Sequence, residues 1–224
     1  MAQTTAGPEN GPVAVDFWFD PACPYTWLTS RWMREVERVR PVAVRWHVMS
    51  LAVLNEHRDE DPEGDTEGYL WMPVRICAAV AAHGGEQALG RFYTALGRRF
   101  HGPGGPDWEA VPDALAEAGL PVELAGAATA TEHDGAVRAS HGRAMELIGG
   151  DHVGTPVIAV DADRGPEATA FFGPVISRVP VGEDAGRLWD GTLLVAGVPG
   201  FHELKGRPHE APRTGTVPDR DLAV

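Results

Sequence analysis

The chain has 224 residues and a mass of 24.0 kDa, enough for one large domain or for one domain carrying a sizeable insertion. It sets 19 basic residues against 32 acidic ones, a net charge of −13, and shows no basic run, which argues against a nucleic-acid partner. No apolar stretch approaches the roughly 18 to 20 residues that a membrane span needs, so no membrane partner is expected.

Lys205 is the sole lysine, and the abundance of Ala, Gly, Arg and Pro points to a high-GC genome. Residues 1–12 are polar, with neither a basic start nor an apolar core, so they read as a disordered lead and not as a secretory signal. Two cysteines, Cys23 and Cys77, are too few for a disulfide framework or a thiolate zinc site. The expectation is a reducing, cytoplasmic setting and no metal.

Val13–Phe19 is rich in β-branched and aromatic residues and is stopped by Asp20–Pro21, the pattern of a strand. From Pro24 to about Arg40, Trp27, Leu28, Met33, Val36 and Val39 recur at helical spacing, with proline suited to the first turn. Pro41 ends that helix, and residues 42–49 read as a second strand. Strand, helix and strand at this spacing make a right-handed βαβ unit with parallel strands.

Residues 55–68 are acidic and turn-rich, a surface loop. Four apolar-periodic segments follow, at 69–83, 86–100, 108–118 and 132–148, separated by Gly84–Gly85, by the Gly/Pro run at 102–105 and by Gly119–Leu120–Pro121. They predict an insertion of about four helices. The β signal returns at 156–160 and again around 168–172, an antiparallel pair, and a last helix spans roughly 183–196. Beyond Gly206, proline and charge dominate, the composition of a disordered tail.

The resulting order, β-α-β, helical insertion, β-β-α, is that of an α/β thioredoxin fold of the DsbA-like arrangement. The expected organisation is a lead at 1–12, a thioredoxin-like domain built from 13–52 and 151–205, a helical insertion domain at 53–150, and a tail at 206–224.

The chemistry concentrates in Phe19–Asp20–Pro21–Ala22–Cys23–Pro24–Tyr25–Thr26–Trp27. Cys23 falls where a strand hands over to a helix, where unpaired backbone N–H groups and the helix dipole favour a thiolate. A lowered pKa and a nucleophile at neutral pH are expected there, whereas a cysteine used only for packing would be inert. Alkylation of Cys23 at pH 6 is the test that separates the two. Thr26 stands where a C-x-x-C pair would have its second cysteine. Its hydroxyl cannot resolve a mixed disulfide, but it can donate to a Cys23 thiolate, or serve simply as a first-turn threonine. In Val153–Gly154–Thr155–Pro156, proline at a strand start suits a cis bond facing the cysteine, with backbone groups open to a bound thiol.

These runs, together with Trp46–His47–Val48–Met49–Ser50–Leu51, Phe171–Phe172–Gly173–Pro174–Val175, Gly186–Arg187–Leu188–Trp189–Asp190 and Phe201–His202–Glu203–Leu204–Lys205, resemble the mycothiol-dependent nitroreductase family of actinobacteria, within the DsbA-like superfamily. The resemblance implies a cysteine that works with mycothiol as co-substrate on a small electrophile, and the composition fits such a host. The family motif has cysteine at both ends, and here the second is Thr26. A single thiolate leaves three routes: a mixed disulfide resolved by a second thiol, transfer of the thiol to an electrophile, or reversible addition to a conjugated alkene with cis–trans isomerisation. A degenerate thioredoxin domain acting as a scaffold is the non-catalytic alternative, and a homodimer is left open.

Catalytic candidates are therefore Cys23 and Thr26. Candidates for thiol or substrate binding are Pro24, Tyr25, Trp27, Asn55, His101, Val153, Thr155 and Pro156. His101 reads either as a polar anchor or general acid above Cys23, as the resemblance suggests, or as a histidine favoured by a helix C-terminus. Asn55 and His57 read as pocket residues or as solvated loop, and Trp27, Met49 and Trp71 as core more than as contacts. Cys77 sits on an apolar helical stripe, a core position. Asp20 reads as a turn cap, with tuning of Cys23 as the second possibility.

Overall fold

A computed structural model describes residues 11–57, 62–218 and 220. Strand β1 (Val13–Phe19) leads through a turn into helix α1 (Pro24–Val39), which returns to β2 (Val42–Val48). A short helix α2 (Leu51–Asn55), a long α3 (Trp71–Phe100), α4 (Val111–Glu117) and α5 (Asp134–Ile148) precede β3 (Val157–Val160), β4 (Thr169–Phe172) and α6 (Glu183–Ala196). The sheet order is β2-β1-β3-β4, with β2 parallel and β3 antiparallel to β1, and β4 antiparallel to β3.

The period-2 alternation of the strands sorts side chains onto two faces. Val15, Phe17 and Phe19 of β1, Trp46 and Val48 of β2 and Ile158 of β3 join the main core, against α1, α3 and α6. The opposite face carries a smaller cluster of Trp18, Met49, Ala144, Val157, Ala159 and Ala162. On that face, Asp16 accepts from Arg45 Nε at 2.9 Å and lies 2.6 Å from His47 Nε2, which satisfies a buried carboxylate.

The break foreseen at Gly84–Gly85 is present: Gly85 takes φ 72 and ψ −170, outside helical geometry, and divides α3 into two helical segments whose residues, Val80 and Leu89 among them, share the main core. Residues 122–129 and 131–133 form 3-10 turns between α4 and α5, so the last helix of the insertion begins at Asp134 and not at Glu132. The expectation for the tail is corrected. Residues 1–10, called a disordered lead, lie outside the described residues, as do 219 and 221–224 of the tail. From 207 to 218, however, the segment called disordered packs on the molecule. Val217 is buried in the main core, Arg213 N donates to Ser177 O at 2.8 Å, and Arg220 holds Glu35 through Nε and NH2, both at 2.8 Å. Such a segment has no core of its own, and it borrows one from α1.

Candidate functional site

Cys23 is the N-cap of α1. Its φ of −78 and ψ of 114 are those of an extended residue, its Sγ accepts from Thr26 N at 3.5 Å, and its carbonyl accepts from Trp27 N at 3.0 Å. Pro24 occupies the first helical turn, where its missing N–H costs nothing. A Cys23 N to Asp20 O bond of 3.2 Å closes the turn that brings β1 round into the helix.

Two cis bonds flank this turn, Thr155–Pro156, as expected, and Gly173–Pro174. Hydrogen bonds stitch both loops to α1. Thr155 Oγ1 accepts from Asp20 N at 3.2 Å and lies 3.2 Å from Thr26 Oγ1, and Thr29 Oγ1 donates to Pro174 O at 2.8 Å. Thr26, in the place of a second cysteine, is fully buried and, with Asp20 N, links the motif directly to the loop before Pro156.

The acid–base state of Cys23 departs from expectation. Burial pushes its thiol above the ordinary value, and Asp20 adds to the rise, while the hydroxyl and amide of Thr26 oppose both. The helix terminus alone foresees a lowered value; desolvation outweighs it, so Cys23 rests as a thiol. Alkylation at pH 6 therefore does not distinguish an active Cys23 from an inert one. Asp20 is fully buried, and burial raises its carboxyl to about 7, although it accepts from Leu51 N at 2.7 Å and Ala22 N at 2.8 Å. It caps the turn, and its charge adds to the rise at Cys23.

His101 ends α3, where its N–H bonds Gly97 O at 2.9 Å. Its ring stacks on Trp27 at 5.7 Å, and Nε2 lies 3.0 Å from Pro21 O, two residues before Cys23. That contact requires an Nε2–H donor, and burial holds the ring neutral by lowering its pKa to about 4. His101 is thus a polar anchor of the Cys23 loop and not a cation at a helix end. Gly97 makes the packing possible, since a Cβ there would lie 2.3 Å from the Trp27 ring.

The other candidates divide. Tyr25 faces the C-terminal segment: its hydroxyl donates to Glu210 O at 2.9 Å, and its ring lies 5.8 Å from that of His209. Trp27 is 1% exposed, packed against Tyr93 and under the Arg31 guanidinium, so it is a core platform and not a contact surface. Asn55 ends α2 and bonds Glu63, away from the motif's hydrogen bonds. Val153 packs on the second core face, with Trp18 and Met49. Cys77 is fully buried in α3, and burial raises its thiol well above the ordinary value. No group of three or more His, Cys, Asp or Glu that could hold a metal occurs among the described residues, and no helix among them is long and apolar enough to cross a membrane.

Three participants escaped the sequence. Tyr93 stacks on Phe19 at 3.7 Å, and Arg31, fully buried, reaches Thr94 at 3.0 Å; both sit on helical stripes that look like ordinary core. The segment at 207–213 had no signal at all.

A cysteine at a helix N-cap, a cis-proline loop hydrogen-bonded to its turn, and helices inserted between β2 and β3 define a DsbA-like protein of the thioredoxin fold. The family model described as Rv2466c-like, mycothiol-dependent nitroreductase Rv2466c, matches residues 22–206. This chain belongs to that family. The uncharacterized protein Rv2286c of Mycobacterium tuberculosis (strain ATCC 25618 / H37Rv) is 31% identical over 196 residues, covering 85% of this chain and 80% of that protein. Among solved structures, a putative protein disulfide isomerase from Nitrosomonas europaea superposes with a TM-score of 0.51 at 14% identity, over 82% of this chain and 98% of the other. The cytosolic disulfide reductase DsbM from Pseudomonas aeruginosa gives 0.49 at 18% identity, over 81% and 99%. Likeness at these identities speaks to the fold alone.

Proposed function

We propose that the protein is a thiol-dependent oxidoreductase or thiol transferase in which Cys23 is the one nucleophile and mycothiol the co-substrate, acting on a small electrophile. The observation that carries this reading is the pairing of Cys23 at the helix N-cap with Thr26, whose amide lies 3.5 Å from Sγ and whose hydroxyl is tied to Thr155. As the thiol gives up its proton, both Thr26 groups favour the anion. In the reductive cycle, Cys23 and one mycothiol together give two electrons and two protons to the substrate and are left joined as a mixed disulfide. A second mycothiol thiolate attacks the mycothiol sulfur of that disulfide and expels the Cys23 thiolate, so that the net change is two mycothiols to one mycothiol disulfide. In this account residues 13–52 and 151–205 carry the reaction, 53–150 cover it, and the setting is a reducing cytoplasm.

A second reading rests on Cys77. The other cysteine is fully buried, so no resolving thiol is at hand within the described residues. Reversible addition of Cys23 to a conjugated alkene, rotation and release needs no such thiol, and cis–trans isomerisation is the alternative. The test is steady-state reduction of a nitroaromatic with mycothiol as sole reductant, in the parent and in Cys23→Ser. Turnover in the parent that is absent from Cys23→Ser supports the first reading. Equal turnover in both sinks it.

A further inference from the structure

A cavity of about 750 Å³ lies between Tyr25 on the first turn of α1, the loop at 175–181, and the C-terminal segment at 207–210. This volume is in the range of small-molecule sites. The family match ends at residue 206, so the outer wall is built by residues beyond the family frame. That wall is tied down on both sides, by the Tyr25 hydroxyl on Glu210 O and by Arg213 N on Ser177 O. The opposite side includes Val179, Pro180 and Val181, an apolar floor.

The charges around the cavity are unevenly paired. Its acids are engaged elsewhere, Glu210 with Arg213 at 2.9 Å and Asp184 with Arg187 at 3.7 Å. Its arginines, Arg178 and Arg207, have guanidinium groups with no hydrogen bond or ion pair among the described residues. Every other described arginine has at least one such partner. In a chain of net charge −13, two uncommitted guanidinium groups on one cavity are the reverse of what the average surface offers.

We propose that this cavity binds a small organic anion, its apolar body on the 179–181 floor and its carboxylate or phosphate between Arg178 and Arg207, with residues 207–210 as a wall of the site. Guanidinium groups suit both anions, as forked donors. Tyr25, two residues from Cys23, places the cavity beside the reactive turn. The assignment rests on the thiol-enzyme reading only in making this anion the electrophilic substrate; binding itself needs no reaction at Cys23.

The test is calorimetric titration of Cys23→Ser protein with 4-nitrobenzoate, 4-nitrophenyl phosphate and the neutral 4-nitrobenzyl alcohol. At least one anion is expected to bind about 10-fold more tightly than the alcohol, and comparing the two anions tells carboxylate from phosphate. The preference is expected to vanish in Arg178→Gln/Arg207→Gln and to survive in Arg164→Gln, an exposed arginine outside the cavity lining. Equal affinity for all three probes, binding by none, or a preference that outlives the double substitution overturns the proposal. Anion preference without mycothiol-dependent turnover in the parent leaves the site standing and removes the thiol-enzyme reading instead.

Discussion

The buried carboxyl of Asp20 offers the sharpest energetic test. It is 0% exposed, and burial raises it from 3.8 to about 7. A carboxyl with a folded pKa above its unfolded value binds more protons folded than unfolded, so stability falls as pH rises from about 3.8 to about 7 and then levels. The whole shift is worth roughly 4 kcal/mol, of which about 3 kcal/mol falls between pH 5 and pH 8. Asp20→Asn removes the titration. It also sets an amide NH2 against one of the two backbone donors, Ala22 N or Leu51 N, at a cost of about 1–3 kcal/mol that does not vary with pH. The difference between variant and parent should therefore move in favour of the variant by about 3 kcal/mol from pH 5 to pH 8, whatever its starting sign. Urea unfolding of both proteins at the two pH values reads it directly. With the like charge gone, the Cys23 thiol should also titrate lower, seen as a shift in its alkylation profile. Parallel stabilities at the two pH values, with an unmoved alkylation profile, refute the reasoning.

Four further outcomes are expected. His101 is held neutral with a pKa of about 4, so its contribution to stability is present above about 6.5 and lost as pH falls toward 4; His101→Gln, which keeps a donor for Pro21 O, should lose up to about 3 kcal/mol less than the parent on acidification from pH 7 to 4, and equal losses in urea melts would contradict this. Thr26→Cys should raise mycothiol-dependent reduction if the cycle must break a mixed disulfide, and should fall under air and recover with reductant if the enzyme is an isomerase; indifference to both oxygen and mycothiol speaks against either account. Cys77→Ala should cost about 1 kcal/mol of stability by chemical denaturation and leave turnover unchanged, whereas a loss as deep as that of Cys23→Ser would identify a resolving partner. Gly97→Ala should lower the unfolding midpoint and slow turnover together, because Trp27 must leave α3 and His101 with it; a change in neither would mean the contact is not needed.

The elements that position the nucleophile were readable because they are local. Val13–Phe19 alternates, Pro24 opens a helix, and Cys23 lies between them, so the N-cap placement follows from adjacent residues. The acid–base state of that cysteine was not readable, because its burial comes from parts of the chain far from residue 23. Trp27 looked at once like core and like a contact; only its packing on Tyr93 and Gly97, some 70 residues away, decides for core. The break at Gly85 was legible because a Gly–Gly pair is a local signal, and Gly85 takes the positive φ it allows. The C-terminal segment was invisible because its contacts, Val217 and the His209 ring apart, are made by backbone groups and by charged side chains, which carry no period.

The central claim is that Cys23 alone exchanges disulfides with mycothiol. Intact-mass spectrometry of the parent, Cys23→Ser and Cys77→Ala after incubation with mycothiol disulfide tests it most directly. One mycothiol adduct is expected on the parent and on Cys77→Ala, discharged by added mycothiol, with none on Cys23→Ser. An unmodified parent, or an adduct that persists in Cys23→Ser, contradicts the account.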